Sequence, residues 1–153
     1  MAAGLELGVI GASGRFANGE TNWMLAEPVA LTQNDIRELQ LAKAAVAAGI
    51  KLLMQRKGAK ELSRLYLAGA FGNYIDRASA QRIGLIDFPP ERVEAAGNTA
   101  LLGAKLALFS RDSEGGSYPG LRRQIEHVPL NADPCFQEVF VEELAFPQGS
   151  AGL

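Results

Sequence analysis

The chain has 153 residues, of which 48% are hydrophobic, and this suits one compact, soluble domain with a sizeable core. Fifteen basic and seventeen acidic side chains give a formal charge of -2 without any block of like charge, so we expect neither nucleic acid nor a membrane as a partner. Cys135 is the only cysteine, which excludes an internal disulfide and a cysteine-based metal or iron-sulfur site in this chain. We therefore predict no metal site, no signal peptide, no membrane-spanning segment and a reducing, cytoplasmic setting.

The N-terminal part is predicted to hold little regular structure. Residues 5–10 are typical of the last turn of a helix that ends at Gly8, and residues 11–19 form a polar, glycine-rich loop. Residues 23–31 can form an extended segment, in which Pro28 favours an edge or irregular path. We accordingly divide the chain into a truncated helix end, glycine-rich loop and extended segment at 1–30, a main C-terminal subdomain at 31–147, and a frayed tail at 148–153.

A long helix is predicted to follow. Thr32 is its expected cap, with Asp35 three positions later in a capping-box relation. The helix should run to about Gln55, with Gly58 closing its end.

The 3.6-residue period of this helix places a lysine on its apolar side. Lys43 lies near the middle of the stripe and Gln40 at its border, so the ammonium group must snorkel, find a carboxylate or meet a ligand. The alanines around it leave the helix narrow, which permits close approach by another helix or by backbone. The stripe expected to face the core comprises Ile36, Leu39, Val46, Ala47, Ile50, Leu53 and Met54.

A strand and a glycine turn form the next unit. Residues 62–70 predict a buried strand that runs directly into a turn containing Gly69, Gly72 and Asn73. Because glycine has no Cβ, such a turn exposes backbone amides to a close ligand and is a candidate nucleotide-binding turn. Tight strand-to-helix connections also use glycine, so a purely structural role stays open.

The arrangement is repeated further along the chain. Asp76 is expected to cap a short helix through Ile83, and Gly97 precedes a second helix capped by Asn98 or Thr99. Since the two turns share one design, their helix N-termini can converge on one anion. The second helix extends to about residue 109 and is apolar or small on nearly all sides, which predicts that it is buried.

The remaining segments are predicted from shorter signals. Residues 110–120 indicate a polar loop, and residues 122–130 suggest a strand. Asp133 and Pro134 should start a final amphipathic helix, with Pro at the first helical position. His127 has no nearby partner in a catalytic pattern, so we interpret it as structural or solvent-facing.

Four motifs in order support a family comparison. Residues 31–45, 67–75, 83–85 and 97–100 closely resemble the C-terminal region of reductive activators of corrinoid proteins, which are ferredoxin-linked ATPases with an actin-like (ASKHA) domain. The resemblance covers nearly the whole chain. It implies a three-layer α/β fold, the second half of an RNase H-like ATPase core, with a small mixed sheet flanked by helices.

The resemblance also implies a function. In that family an N-terminal [2Fe-2S] ferredoxin domain supplies electrons, and the ASKHA domain couples ATP, with Mg, to reduction of Co(II) corrinoid to Co(I). The implied partners are a corrinoid protein of a methyltransferase system and the upstream half of the same ASKHA domain. This chain has neither the cysteine cluster nor the phosphate loops of that first half. We therefore expect the chain alone not to hydrolyse ATP, and its exposed apolar surface to favour self-association.

Nucleotide-contacting positions follow from the same resemblance. Ala70 stands where many ASKHA adenosine motifs carry a second glycine, and its Cβ could narrow the nucleotide's approach. Catalytic and Mg-binding carboxylates cannot be assigned from this sequence. The implied adenosine-motif turn is Gly69, Ala70, Phe71, Gly72 and Asn73, with Gly97 and Asn98 beside it and Arg37, Gln40 and Lys43 as candidates on the facing helix.

Two functions from different classes remain open. The first is the nucleotide-binding part of a corrinoid reductive activator, which the motif order and the paired glycine turns favour. The second is a non-catalytic module that binds a protein partner and has lost nucleotide binding. Ala70 and the missing phosphate loops favour the second for the isolated chain.

Overall fold

A computed structural model describes residues 1–69, 71–109 and 118–148. Its helices and strands follow the order α1 (Ala2–Glu6), β1 (Asn22–Ala26), β2 (Val29–Thr32), α2 (Gln33–Lys57), β3 (Leu65–Ala68), α3 (Arg77–Arg82), β4 (Val93–Gly97), α4 (Thr99–Phe109), α5 (Tyr118–Gln124) and α6 (Phe136–Glu142). Short 3-10 turns lie at Phe71–Asn73, Pro90–Arg92 and Leu130–Ala132.

The fold class is confirmed as α/β. Among the described strands there are two two-stranded sheets, the antiparallel pair β1 and β2 and the parallel pair β3 and β4. The extended segment predicted at 23–31 is the β1–β2 hairpin, in which Trp23 pairs with Leu31. The strand predicted at 62–70 is shorter and spans Leu65–Ala68.

The ends of α2 form as predicted. Asp35 donates its backbone N–H to the Thr32 hydroxyl at 3.2 Å, and its carboxylate accepts the Thr32 backbone N–H at 2.8 Å. This is the reciprocal capping box, which satisfies two donors that the helix cannot satisfy internally. Gly58 closes the other end at φ 64°, a left-handed conformation that favours glycine.

The buried face of α2 differs from the predicted stripe. Val46 and Leu53, which we expected in the core, are 47% and 41% exposed. The narrow side of the helix is buried instead, because α6 and the Leu130–Ala132 turn pack closely against it, with the Leu130 side chain beside Gly49. The buried residues are Ile36, Lys43, Ala44, Ala47, Ala48, Gly49 and Leu52.

Two small cores hold the described part of the chain together. One lies where α2 meets the N-terminal region and a segment near the C-terminus, and it consists of Leu5, Ile10, Phe16, Ile36, Ile83 and Phe146. The other lies against the parallel strands and consists of Ala80, Ile86 and Val93, with Leu65 and Leu67 partly buried on it. The parallel strands and their glycine turns therefore rest on a core separate from that of α2.

The prediction that α4 is buried is wrong for this chain. Each of its residues is exposed, and Leu102, Leu106 and Phe109 are 55%, 60% and 80% exposed. Within the described ranges, no other element packs extensively on this helix. Apolar composition predicted burial, but burial requires a partner surface.

The strand predicted at 122–130 is also wrong. The backbone is helical at Tyr118–Gln124 and irregular from there to the turn at Leu130–Ala132. Side-chain contacts fix the segment: Glu126 forms a 3.0 Å ion pair with Lys57 at the end of α2. His127 is exposed, as one of its two interpretations required.

The final helix begins later than predicted. It starts at Phe136 instead of Pro134, because the Asp133 carboxylate accepts the Cys135 backbone N–H at 2.9 Å and holds a turn before the helix. Most of the loop predicted at 110–120 and of the tail predicted at 148–153 falls outside the described residues.

Candidate nucleotide site

The two predicted glycine turns lie side by side. Strands β3 and β4 are parallel neighbours, so the turns that follow them emerge at the same edge of the sheet. The Gly69 N–H donates to the Gly97 carbonyl oxygen at 2.7 Å, and the Asn73 side-chain amide lies about 4 Å from the position a Gly97 Cβ would take. Gly69 and Gly97 adopt φ 100° and 66°, which favour glycine at both positions.

The glycines at 69 and 72 are required for different reasons. A Cβ at Gly72 would lie 2.6 Å from the Leu67 carbonyl oxygen, so glycine there allows the turn to fold back on its own strand. A Cβ at Gly69 would meet nothing within 4 Å. The Gly69 N–H donates to Gly97 and its carbonyl oxygen accepts the Gly72 N–H at 3.2 Å, so what Gly69 leaves free is the space beside its Cα and not its amide.

A polar cleft of about 400 Å³ adjoins the turn. Its lining includes Gly72, Asn73, Asp76, Arg77 and Glu94. The sequence predicts Asp76 as a helix cap, but Arg77 and Glu94 are not among the predicted site residues. Arg77 begins α3 shortly after the first glycine turn, and Glu94 lies on β4 shortly before Gly97, so their positions beside the turns could have identified them.

Arg77 and Glu94, two charged residues of this cleft, each already bind another group of the chain. Arg77 donates from Nη1 to the Val93 carbonyl oxygen at 2.8 Å, and Glu94 forms a 2.8 Å ion pair with Arg64. Hydrogen bonds from Ser79, first its hydroxyl and then its backbone N–H, lower the pKa of Asp76. The cleft consequently presents fixed charges of both signs and the neutral amide of Asn73.

Helix α4 begins directly after Gly97. Asn98 is its cap, because the Asn98 side-chain oxygen accepts the Leu101 backbone N–H at 3.0 Å, and this settles the choice between Asn98 and Thr99. Phe71, Gly72 and Asn73 form a 3-10 turn, whereas Ala70 lies outside the described residues.

Arg37 and Gln40 lie elsewhere, in a second cleft. This cleft of about 730 Å³ lies between α2 and the loop at residues 11–19, and no glycine-turn residue lines it. Gln40 donates from Nε2 to the carbonyl oxygens of Leu144 at 2.9 Å and Ser13 at 3.3 Å. Arg37 and Gln40 are thus separate from the glycine-turn residues.

Lys43 lines neither cleft. It is 1% exposed and donates from Nζ to the Ala145 carbonyl oxygen at 2.5 Å, with the Phe146 ring centroid 5.6 Å from Nζ. Burial lowers the pKa of Lys43, and the nearby Glu143 carboxylate partly opposes this shift. In this structure the lysine fastens a segment near the C-terminus onto α2.

Two other features bear on function. In residues 1–69, 71–109 and 118–148, no three His, Cys, Asp or Glu side chains are grouped as a metal site would require. None of the described helices combines the length and the hydropathy needed to cross a membrane.

The parallel strands, their paired glycine turns and the flanking helices define an ASKHA-type α/β domain. The chain belongs to the family described as the C-terminal domain of RACo, the ASKHA domain, which matches residues 11–152. Its structure is similar to a solved structure titled "Reductive activator for corrinoid,iron-sulfur protein", with a TM-score of 0.82 and 27% identity over 95% of this chain and 27% of that one.

Two characterised relatives carry similar descriptions. Over 121 residues the chain is 40% identical to the corrinoid activation enzyme RamQ of Eubacterium limosum. The aligned region covers 77% of this chain and 20% of that protein. Over 148 residues it is 25% identical to the [Co(II) methylated amine-specific corrinoid protein] reductase of Methanosarcina barkeri. That aligned region covers 95% of this chain and 27% of the reductase. The chain therefore spans about a fifth to a quarter of the length of these relatives.

Proposed function

We propose that this chain is the C-terminal nucleotide-binding portion of an ATP-dependent reductive activator of a corrinoid protein. The pairing of the glycine turns supports this proposal most directly, because Gly69 is hydrogen-bonded to Gly97 and the space that a Gly69 side chain would fill is free. The names of the relatives refer to corrinoid activation and to a corrinoid protein, which supports a corrinoid protein as the partner. Within the proposal, this corrinoid protein belongs to a methyltransferase system.

In this proposal the chain binds and orients nucleotide. The turn of Gly69, Ala70, Phe71, Gly72 and Asn73 takes the adenosine side, with Gly97 and Asn98 beside it. The free space beside the Gly69 Cα and the neutral Asn73 amide suit a sugar and base better than a phosphate, since the Gly69 N–H is already bonded to Gly97. Bound Mg would offset phosphate charge, held by carboxylates of an upstream half of the domain.

The complete reaction needs parts that this chain does not contain. A [2Fe-2S] ferredoxin domain in a longer cytoplasmic protein would supply electrons, and nucleotide binding would drive reduction of Co(II) to Co(I). We expect the chain by itself to show no ATP turnover, because half of a two-lobed site cannot exclude water from the phosphates. Turnover by the purified chain would contradict this division of labour.

Titration calorimetry with ATP and with ADP tests the proposal on both the longer protein and this chain. Asn73→Ala should weaken ADP binding by the longer protein about fivefold to tenfold, since one neutral hydrogen bond contributes roughly 1 kcal/mol. Asn34→Ala is the matched control, because Asn34 is exposed on α2 and lies in neither cleft. If both variants bound ADP with equal affinity, Asn73 and its turn would not be part of the nucleotide site.

The exposed α4 supports a second candidate, a protein-interaction module without nucleotide binding. An apolar helix that no described element covers is suited to another polypeptide. If the longer protein releases or absorbs heat on binding ATP or ADP, the nucleotide site is supported. If neither the longer protein nor this chain gives a binding heat, the interaction module is supported.

A further inference from the structure

The glycine-rich loop at residues 11–19 is rigidly attached to α2. The Gln33 side-chain amide donates to the Gly14 carbonyl oxygen at 2.8 Å, and Gln40 donates to the neighbouring Ser13. Gly14 adopts φ 80°, and a Cβ there would overlap the Gln40 amide. The loop therefore keeps one position relative to the helix.

The same attachment fixes Arg15. The Arg15 carbonyl oxygen accepts the Gly11 N–H at 2.9 Å, the Gly14 N–H donates to the Gly11 carbonyl oxygen at 2.8 Å, and Phe16 is buried in the core. These two hydrogen bonds and the buried ring of the next residue, Phe16, hold the Arg15 backbone in place. A preorganised backbone lowers the cost of ordering the side chain around a ligand.

Arg15 and Arg37 line the same cleft, Arg15 from the loop and Arg37 from α2. Both side chains are exposed, and in the described part of the chain neither forms an ion pair. Glu20 is the third charged residue of the lining, which leaves a net charge of one positive unit. Five donors on each guanidinium are thus available for an anionic ligand.

Size and lining indicate a small molecule. The cleft volume of about 730 Å³ lies within the range of roughly 300–1,000 Å³ that small-molecule sites occupy. Phe16, Leu41 and Leu144 supply an apolar lining next to the arginines. An anion attached to an apolar body matches that combination.

We propose that this cleft is a second anion site, separate from the glycine turns, that binds the phosphate group of a phosphorylated small molecule through Arg15 and Arg37. Two guanidinium groups match the two negative charges of a phosphate monoester and make the short, charge-assisted hydrogen bonds that arginine favours. This site goes beyond the proposed nucleotide function, because no residue of the adenosine-side turn lines it.

Titration of the full chain with pyrophosphate and with phenyl phosphate tests the proposal, and succinate separates phosphate from carboxylate recognition. We expect saturable binding of both phosphate compounds, with the aromatic ester tighter and succinate weaker. Arg15→Gln and Arg37→Gln should each weaken phosphate binding about tenfold or more. Arg123→Gln is the matched control, since Arg123 is an exposed arginine of α5 outside the cleft.

NMR spectra of the amide groups locate the bound anion. Pyrophosphate should shift the Gln40 side-chain amide and the Gly14 amide, while Asn73→Ala should leave its affinity unchanged. Absence of saturable binding, an equal loss in the Arg123 control, preference for succinate, or shifts confined to residues 69–73 would each overturn the proposal. Failure of the adenosine-side turn to bind ADP would leave these outcomes unaffected, so the two proposals fail separately.

Discussion

Helices α2 and α4 show that apolar composition alone does not decide burial. Helix α2 carries a lysine on its buried face and packs against α6, whereas α4 is apolar on nearly every side and is exposed along its length. Lys43 is 1% exposed, but every described side chain of α4 is exposed. A partner surface for α2 exists within the described residues, and one for α4 does not. Among the described residues, α4 thus presents an apolar surface that remains exposed.

The largest expected effect comes from replacing the buried lysine of α2. Lys43→Ala should lower the free energy of unfolding by about 2–4 kcal/mol, because it leaves a cavity and deprives the Ala145 carbonyl oxygen of its donor. Lys43→Met keeps most of the packing and removes the buried charge, so it should cost about 1–2 kcal/mol. Urea unfolding followed by circular dichroism measures both.

Lys105→Ala on α4 is the matched control for Lys43. Lys105 is exposed, so its removal should change stability by about 0.5 kcal/mol or less. If Lys43→Ala and Lys105→Ala proved equally mild, the buried hydrogen bond to Ala145 would contribute nothing to the fold.

The next largest effect concerns the exposed apolar surface of α4. We expect the chain to self-associate through α4, and the double variant Leu102→Glu and Leu106→Glu to shift it toward monomer without a loss of stability greater than about 0.5 kcal/mol. The two leucines are 55% and 60% exposed, so neither charge would be buried in the monomer. Light scattering across a concentration series gives the mass.

Met24→Glu is the control for general surface charge. Met24 is 57% exposed and lies on the β1–β2 hairpin, so an added carboxylate there should leave association unchanged. A monomeric wild-type chain at high concentration, or an equal effect of Met24→Glu, would show that α4 is not the associating surface.

The predictions that succeeded rest on contacts between residues close in sequence. The capping box of Thr32 with Asp35 and the Asn98 cap each join residues three positions apart, so a local motif contains all the information. The adjacency of the glycine turns is an exception, since their shared design predicted only that they could converge and the parallel pairing of β3 and β4 brings them together. The family motifs added the fold class, which short-range signals do not determine.

The contacts that the sequence does not reveal involve distant partners. Lys43 bonds to Ala145, 102 positions away, and no periodicity identifies that carbonyl oxygen. Arg37 and Gln40 share a cleft with the 11–19 loop, which tertiary packing brings to α2. The buried side of α2 was misassigned for the same reason, since α6 selects the narrow face by shape.

The smallest expected effect is a difference between α2 and α4 in how the stability of the first helical turn depends on pH. Hydrogen bonds from Thr32, first its hydroxyl and then its backbone N–H, lower the pKa of Asp35 below its ordinary value, whereas α4 is capped by the neutral Asn98. Because the folded-state pKa is the lower one, the stabilisation is complete above the unfolded-state pKa and is lost as pH falls through the folded-state value.

Carbon chemical shifts from NMR, recorded from about pH 6 to about pH 2, report this loss residue by residue. The first turn of α2 should lose helical character at the acid end, and that of α4 should not. Asp35→Asn should remove the pH dependence in α2, because an amide cannot titrate. Parallel losses in both helices would mean that acid acts on the whole fold, and the capping box would then have no separate effect.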